Sequence, residues 1–156
     1  MRKLLRALLL FASAGAFAAT DVYVAKDGDD TNDGLTPATA KATIAAAYTA
    51  MTNGTVEATA GNRLIVGEGE FEFPVFPLVL TNGQSIVGAE GAVATLKLRA
   101  GITQSQAAEY YSAGMFVLTT ADTELKNLTV HFNNIPLKLN GALLKNPKGK
   151  VIGCTF

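Results

Sequence analysis

Tryptophan is absent from this chain of 156 residues, cysteine and histidine occur once each, and aromatic residues make up only 8%. A single cysteine, Cys154, excludes an internal disulfide framework. With one histidine and one cysteine there is no zinc-ligand spacing, and the sequence carries no phosphate-binding glycine loop and no nucleophile elbow. No apolar run is long enough to span a bilayer as a helix. Neither charge sign dominates, with 13 basic and 13 acidic residues. That balance argues against a nucleic-acid or anionic-membrane binder, which wants clustered Lys and Arg.

What is present begins with a leader. Arg2, Lys3 and Arg6 form a basic start, Leu4, Leu5 and residues 7–11 a short apolar stretch, and Ala16-Phe17-Ala18 places small residues where a signal peptidase reads them. The pattern predicts a signal peptide over 1–18, cleaved after Ala18 or one residue later. A retained N-terminal anchor is the alternative reading. Cleavage leaves 19–156 as one domain, without a transmembrane segment. Losing Arg2, Lys3 and Arg6 leaves ten basic against thirteen acidic residues, a net charge of −3. The expected location is extracellular or the cell surface, with the periplasm as the other compartment such a leader allows. Hydrophobic residues make up 49% of the chain, enough for a packed core. Cys154 stands among Val151, Ile152 and Phe156 and reads as a buried apolar position, with a reactive or intermolecular thiol as the alternative.

The mature chain opens with the strand formers Val22-Tyr23-Val24. Asp27-Gly28-Asp29-Asp30-Thr31-Asn32-Asp33-Gly34 is a dense turn signal. The spacing then predicts a helix over 36–51, with Thr36 as its cap, Pro37 in its first turn, and Ile44, Ala47, Tyr48 and Met51 on one face. Asn53-Gly54 ends it. Beyond Met51 come many short apolar runs broken by Gly, Asn and Pro, and no second convincing helix.

A repeat organises these runs. Leu125-Lys126-Asn127-Leu128-Thr129-Val130 matches Val151-Ile152-Gly153-Cys154-Thr155-Phe156 at a shift of 26, and Ile86-Val87-Gly88-Ala89 matches Leu125-Lys126-Asn127-Leu128. Met115-Phe116-Val117-Leu118 precedes Ala142-Leu143-Leu144-Lys145 by 27. Units this small cannot bury an apolar face alone and must stack. The predicted fold class is an all-β solenoid, a single-stranded right-handed parallel β-helix with an N-terminal capping α-helix over 36–51. Ile86, Leu125, Val151, Leu128, Cys154, Val130 and Phe156 should point inward and Thr129 and Thr155 outward. Gly88, Asn127 and Gly153 should share a corner that favours a left-handed backbone.

The series Val22-Tyr23-Val24, Asp27-Gly28-Asp29-Asp30, Asn32-Asp33-Gly34, Thr36-Pro37 and Ala42-Thr43-Ile44 with Ala47 resembles the N-terminal signature of the pectate-lyase-like right-handed parallel β-helix superfamily. Arg63-Leu64-Ile65-Val66 with Gly69-Glu70-Phe71 resembles its first coil, and residues 85–91 the next corner. The resemblance covers about residues 21–98 and implies a strand and a Gly/Asp loop leading into a capping helix. It implies no single activity, because the fold carries lyases, hydrolases, adhesins and autotransporter passengers. Members typically run to many coils, whereas this chain holds roughly three or four. The expectation is therefore the N-terminal part of a β-helix, truncated at its C-terminus. Residues 152–156 are also similar to coils of polymorphic outer-membrane proteins.

Four groups are candidates for chemistry. Asp27, Asp29 and Asp33 in the acidic loop suit a calcium ion, since Asp29-x-Thr31-x-Asp33-Gly34 partly matches an EF-hand opening. Thr31 and Ala40 depart from that pattern, and a solvated turn is the other reading. Glu68, Glu70 and Glu72 alternate, so an extended strand would line them on one face as an acid–base set or as a solubilising rim. His131 reads as catalytic or as structural and solvent-facing. Residues 99–113 interrupt the repeat, and Gln106, Tyr110 and Tyr111 there suit sugar stacking and hydrogen bonding, or form an ordinary loop over one packed tyrosine. No catalytic set and no cofactor beyond calcium is indicated. The functional expectation is a binding or structural module directed at a polysaccharide or another cell surface, able to self-associate edge to edge. The alternative is a fragment of a polysaccharide lyase or glycoside hydrolase.

Overall fold

The computed structural model describes residues 19–53, 61–74, 77–103, 114–132, 141–145 and 148–156. The leader 1–18 and the binding candidates Gln106, Tyr110 and Tyr111 lie outside the described residues. The described chain is built mostly of short parallel strands: β1 (Asp21–Val24), β2 (Arg63–Val66), β3 (Gly69–Glu72), β4 (Leu78–Leu80), β5 (Ser85–Gly88), β6 (Ala94–Lys97), β7 (Phe116–Leu118), β8 (Glu124–Lys126), β9 (Thr129–His131), β10 (Ala142–Leu144) and β11 (Lys150–Ile152). One α-helix, α1 (Ile44–Asn53), separates β1 from β2.

The strands form three sheets, ordered β1-β2-β5-β8-β11, β3-β6-β9 and β10-β7-β4, and every pairing is parallel. From β2 onward the chain visits the first, second and third sheet in turn, three times over, before β11 returns to the first. Along most of these strands alternation sends one set of side chains inward. In the first sheet Val22, Leu64, Ile86, Leu125 and Val151 are in register, in the second Phe71, Leu96 and Val130, and in the third Leu80, Leu118 and Leu144. Apart from Val151 and Leu144, these residues belong to one hydrophobic cluster, to which Phe73 and Phe116 add an edge-to-face contact with ring centroids 5.1 Å apart. Burying each Leu, Val, Ile or Phe contributes about 1.5–3 kcal/mol.

The predicted register holds in the first sheet. Ile86 pairs with Leu125 and Leu125 with Val151, and in the second sheet Thr129 of β9 bridges to Thr155 as expected. In the third sheet it is off by one: Phe116, not Met115, pairs with Ala142, so the shift is 26 there as well. Register is read from in–out alternation, and here there is none, since Met115, Phe116, Val117 and Leu118 are all buried. Ile86, Leu125, Leu128 and Val130 point inward as expected, but Val151 is 36% and Phe156 46% exposed, and Cys154 is half-buried. These residues occupy the last positions of the stack, with no described strand above them.

The corner glycines divide by cause. Asn127 and Gly153 have the expected left-handed backbone, at φ 54° and 59°. Gly88 does not; a side chain there would overlap the Asn127 carbonyl of the next layer.

The predicted helix over 36–51 is corrected at its start. Residues Pro37–Thr39 make a 3-10 turn closed by a reciprocal Thr36–Thr39 capping box, and Ala40 then turns extended. Lys41 bridges to β1 in parallel, with its N–H donating to the Tyr23 carbonyl and its carbonyl accepting from the Ala25 N–H. Pairing with a strand edge outweighs the helix propensity of the alanines here. The cap of α1 is Thr43, whose Oγ1 accepts from the Ala46 N–H at 3.2 Å. Its face is as expected: Ile44, Ala47 and Met51 are fully buried, and Tyr48 packs against the same cluster.

At this end the edge strand of each sheet is covered. In β1, the Tyr23 N–H donates to the Gly34 carbonyl, next to the Lys41 bridge. In β3, the Glu70 carbonyl accepts from Lys26 Nζ at 3.0 Å. In β4, the Tyr48 hydroxyl donates to the Val79 carbonyl at 2.8 Å and accepts from the Val79 N–H at 3.0 Å. Exposed edges are templates for unwanted pairing, and these contacts remove the template. The opposite end differs: β11 is exposed throughout, and Leu144 and Ile152 are 44% and 42% exposed.

Candidate functional site

The outer face of the second sheet gathers the most varied chemistry among the described residues. In β3, β6 and β9 the inward positions are Phe71, Leu96 and Val130, so the flanking residues face out. Register puts them in two rows. Glu70, Thr95 and Thr129 share one, which Thr155 extends. Glu72, Lys97 and His131 share the other. Neighbouring members of a row stand about 4.8 Å apart, the spacing of paired strands. Beside them a groove of about 510 Å³ is lined by Lys26, Glu70, Glu72, Lys97 and Arg99.

The charges in this groove are already partly matched. Lys97 is in register with Glu72 but leans diagonally to Glu70, with its Nζ 3.3 Å from Oε2. Both partners are exposed enough that the pair adds little stability. Lys26 lies with its ammonium 5.5 Å from the Phe71 ring centroid while holding the Glu70 carbonyl. Glu70 and Glu72 do share the outer face, as their alternation predicts. Glu68 does not join them, because β3 begins only at Gly69, whose φ of 118° breaks the extended run. His131 is exposed at the end of its row.

A second groove, of about 410 Å³, lies on the outer face of the first sheet among Arg63, Ile65, Val87, Glu90 and Lys126. One row of this face carries ion pairs. Arg63 binds Asp21 with both Nε and a terminal nitrogen at 2.7 Å, and Lys150 binds Glu124 at 3.0 Å. The Asp21 carboxylate raises the pKa of Arg63 above its ordinary value, and Glu124 does the same for Lys150.

The acidic loop is arranged by its own hydrogen bonds. Asp29 Oδ1 accepts from the Thr31 N–H and hydroxyl, and Asp33 Oδ1 from the Leu35 N–H and the Thr39 hydroxyl. These bonds, with a smaller contribution from the Lys41 ammonium, hold both carboxyls below the ordinary aspartate range. Asp30, not among the predicted ligands, accepts from the Ala42 and Thr43 N–H groups and the Thr43 hydroxyl, and so anchors the start of α1. Among the described residues, no three His, Cys, Asp or Glu side chains converge as a metal site. Sequence reading overlooked Asp30, Lys26 and Lys41. For Asp30 a signal existed, since Thr43 precedes the apolar face of α1 as a cap should. The two lysines act across loops, with no local pattern to mark them.

No protein family, no curated protein and no solved structure matches this chain. No helix among the described residues is long and apolar enough to cross a membrane.

Proposed function

We propose that the chain is a secreted or cell-surface module built as a right-handed parallel β-helix, whose role is to bind a polysaccharide or another cell surface along the outer face of β3, β6 and β9. The order in which the chain visits its three parallel sheets supports the β-helix reading, since each layer would then be one turn of a coil. Right-handed connections are the rule for parallel strands joined by crossovers. The leader pattern of residues 1–18 supports export.

One observation carries the binding reading. Hydroxyl, carboxylate, ammonium and imidazole groups stand in two register-locked rows on a rigid sheet, flanking an open groove. A saccharide chain offers hydroxyls and ring oxygens at regular intervals, and a comb of fixed donors and acceptors meets it without ordering flexible loops. The test is a glycan array and a whole-cell pulldown with residues 19–156. Binding to at least one polysaccharide or cell surface is expected, with loss in the Thr95→Arg/Thr129→Arg variant at unchanged melting temperature. Failure to bind any of them, or equal binding by that variant, would overturn the reading.

The row Glu72–Lys97–His131 favours a second reading, a polysaccharide lyase or glycosidase, because it lines up a carboxylate, an ammonium and an imidazole. Release of unsaturated or reducing ends that vanishes in His131→Ala, with binding retained, would favour catalysis over simple binding.

A further inference from the structure

We infer that Lys41 is the built-in cation of the acidic loop: its ammonium fills from within the chain the position around which residues 27–34 close, so that the loop is made for an alkylammonium group rather than for calcium. Lys41 is only 7% exposed, and its Nζ donates to the main-chain carbonyls of Asp30 at 3.1 Å and of Asn32 at 2.5 Å. A calcium site would collect six to eight oxygens with carboxylates foremost. Here both carboxylate oxygens of Asp30 and one each of Asp29 and Asp33 accept from N–H and hydroxyl donors of Thr31, Leu35, Thr39, Ala42 and Thr43. The loop carbonyls instead meet a group that supplies directed N–H donors.

The main chain at Lys41 is closely packed as well. A methyl group on Gly28 would overlap the Lys41 carbonyl. Gly34 has φ +79°, a left-handed backbone, and a side chain there would meet Val22 Cγ1 at 3.1 Å and lie in ordinary contact with Lys41 Cγ at 3.4 Å. The main chain of the same residue pairs with β1. Lys41 thus joins the loop, the first strand and the approach to α1, and without its ammonium two loop carbonyls lose their donor.

Three measurements on residues 19–156 test this. Wild-type melting temperature should be the same in EDTA and in millimolar calcium, and a rise with calcium would overturn the inference. Lys41→Met, which keeps the stem and removes the charge, should melt roughly 10 °C lower, and Lys41→Ala at least as low. Methylammonium should restore Lys41→Ala, which has room for it, more than Lys41→Met, which does not. Wild-type stability in Lys41→Met, or equal response of both variants, would refute the role of the ammonium. Should neither variant fold, acetylation of the native wild type read by mass spectrometry decides: Lys41 should react at least tenfold more slowly than exposed Lys126, and equal rates would overturn the inference.

Discussion

Individual residues here answer to distinct demands that composition alone conflates. Gly88 and Asn127 stack in neighbouring layers, yet one needs space and the other a left-handed backbone. Gly88→Ala should therefore destabilise by more than about 2 kcal/mol, and Asn127→Gly by less than about 0.5 kcal/mol, in urea titrations. The corner was legible in sequence because Gly and Asn are the residues that tolerate positive φ; the overlap at Gly88 was not, since it involves a carbonyl 39 residues away. Asp29 and Asp33 make a second case. Their carboxyls are held below the ordinary aspartate value, so they favour the folded state above that value, and the contribution disappears as the pH falls through the lowered one. The stability gap between wild type and Asp33→Ala should be full above about pH 5 and shrink below about pH 3.9, as thermal melts across that range would record.

At the scale of elements, α1 does two jobs. Its buried face closes the apolar interior, and its Tyr48 hydroxyl takes the place of a neighbouring strand for Val79. Burial also pushes that hydroxyl above the ordinary tyrosine pKa. Met51→Ala should cost about 2–5 kcal/mol and Tyr48→Phe about 1 kcal/mol, both measurable by denaturant unfolding. Asp30→Ala should cost about 1–2 kcal/mol by releasing the start of the helix. The helix face was legible because three- and four-residue spacing survives any error in the boundary. Its start was not, because Thr36-Pro37 caps a single 3-10 turn as well as it caps a helix, and only the pairing of Lys41 with β1 separates the two.

For the whole molecule, the two sides of the described sheets are unlike. One is closed by α1, Lys26 and the loop carbonyl of Gly34, while Leu144, Val151, Ile152 and Phe156 are exposed at the other. Apolar side chains beside a strand edge favour association. Light scattering should show a mass that grows with protein concentration, and the Val151→Lys/Ile152→Lys variant should reduce that growth; a monomer at every concentration would contradict this. The strand register was legible where alternation is strict, as in Leu125-Lys126 against Val151-Ile152. It slipped at 115–118, where every side chain is buried. The outer face of the second sheet was legible only in part. Glu70 and Glu72 advertise themselves by alternation, but their meeting with Lys97 and His131 depends on returns of 25 and 34 residues that no local pattern encodes.

The proposed stacking is tested most directly by methyl NOE spectroscopy on Ile/Leu/Val-labelled protein. The first-sheet ladder predicts cross-peaks for Leu64–Ile86, Ile86–Leu125 and Leu125–Val151, and none between Leu64 and Leu125, which are two layers apart. Leu125 methyls in contact with neither Ile86 nor Val151 would contradict the account.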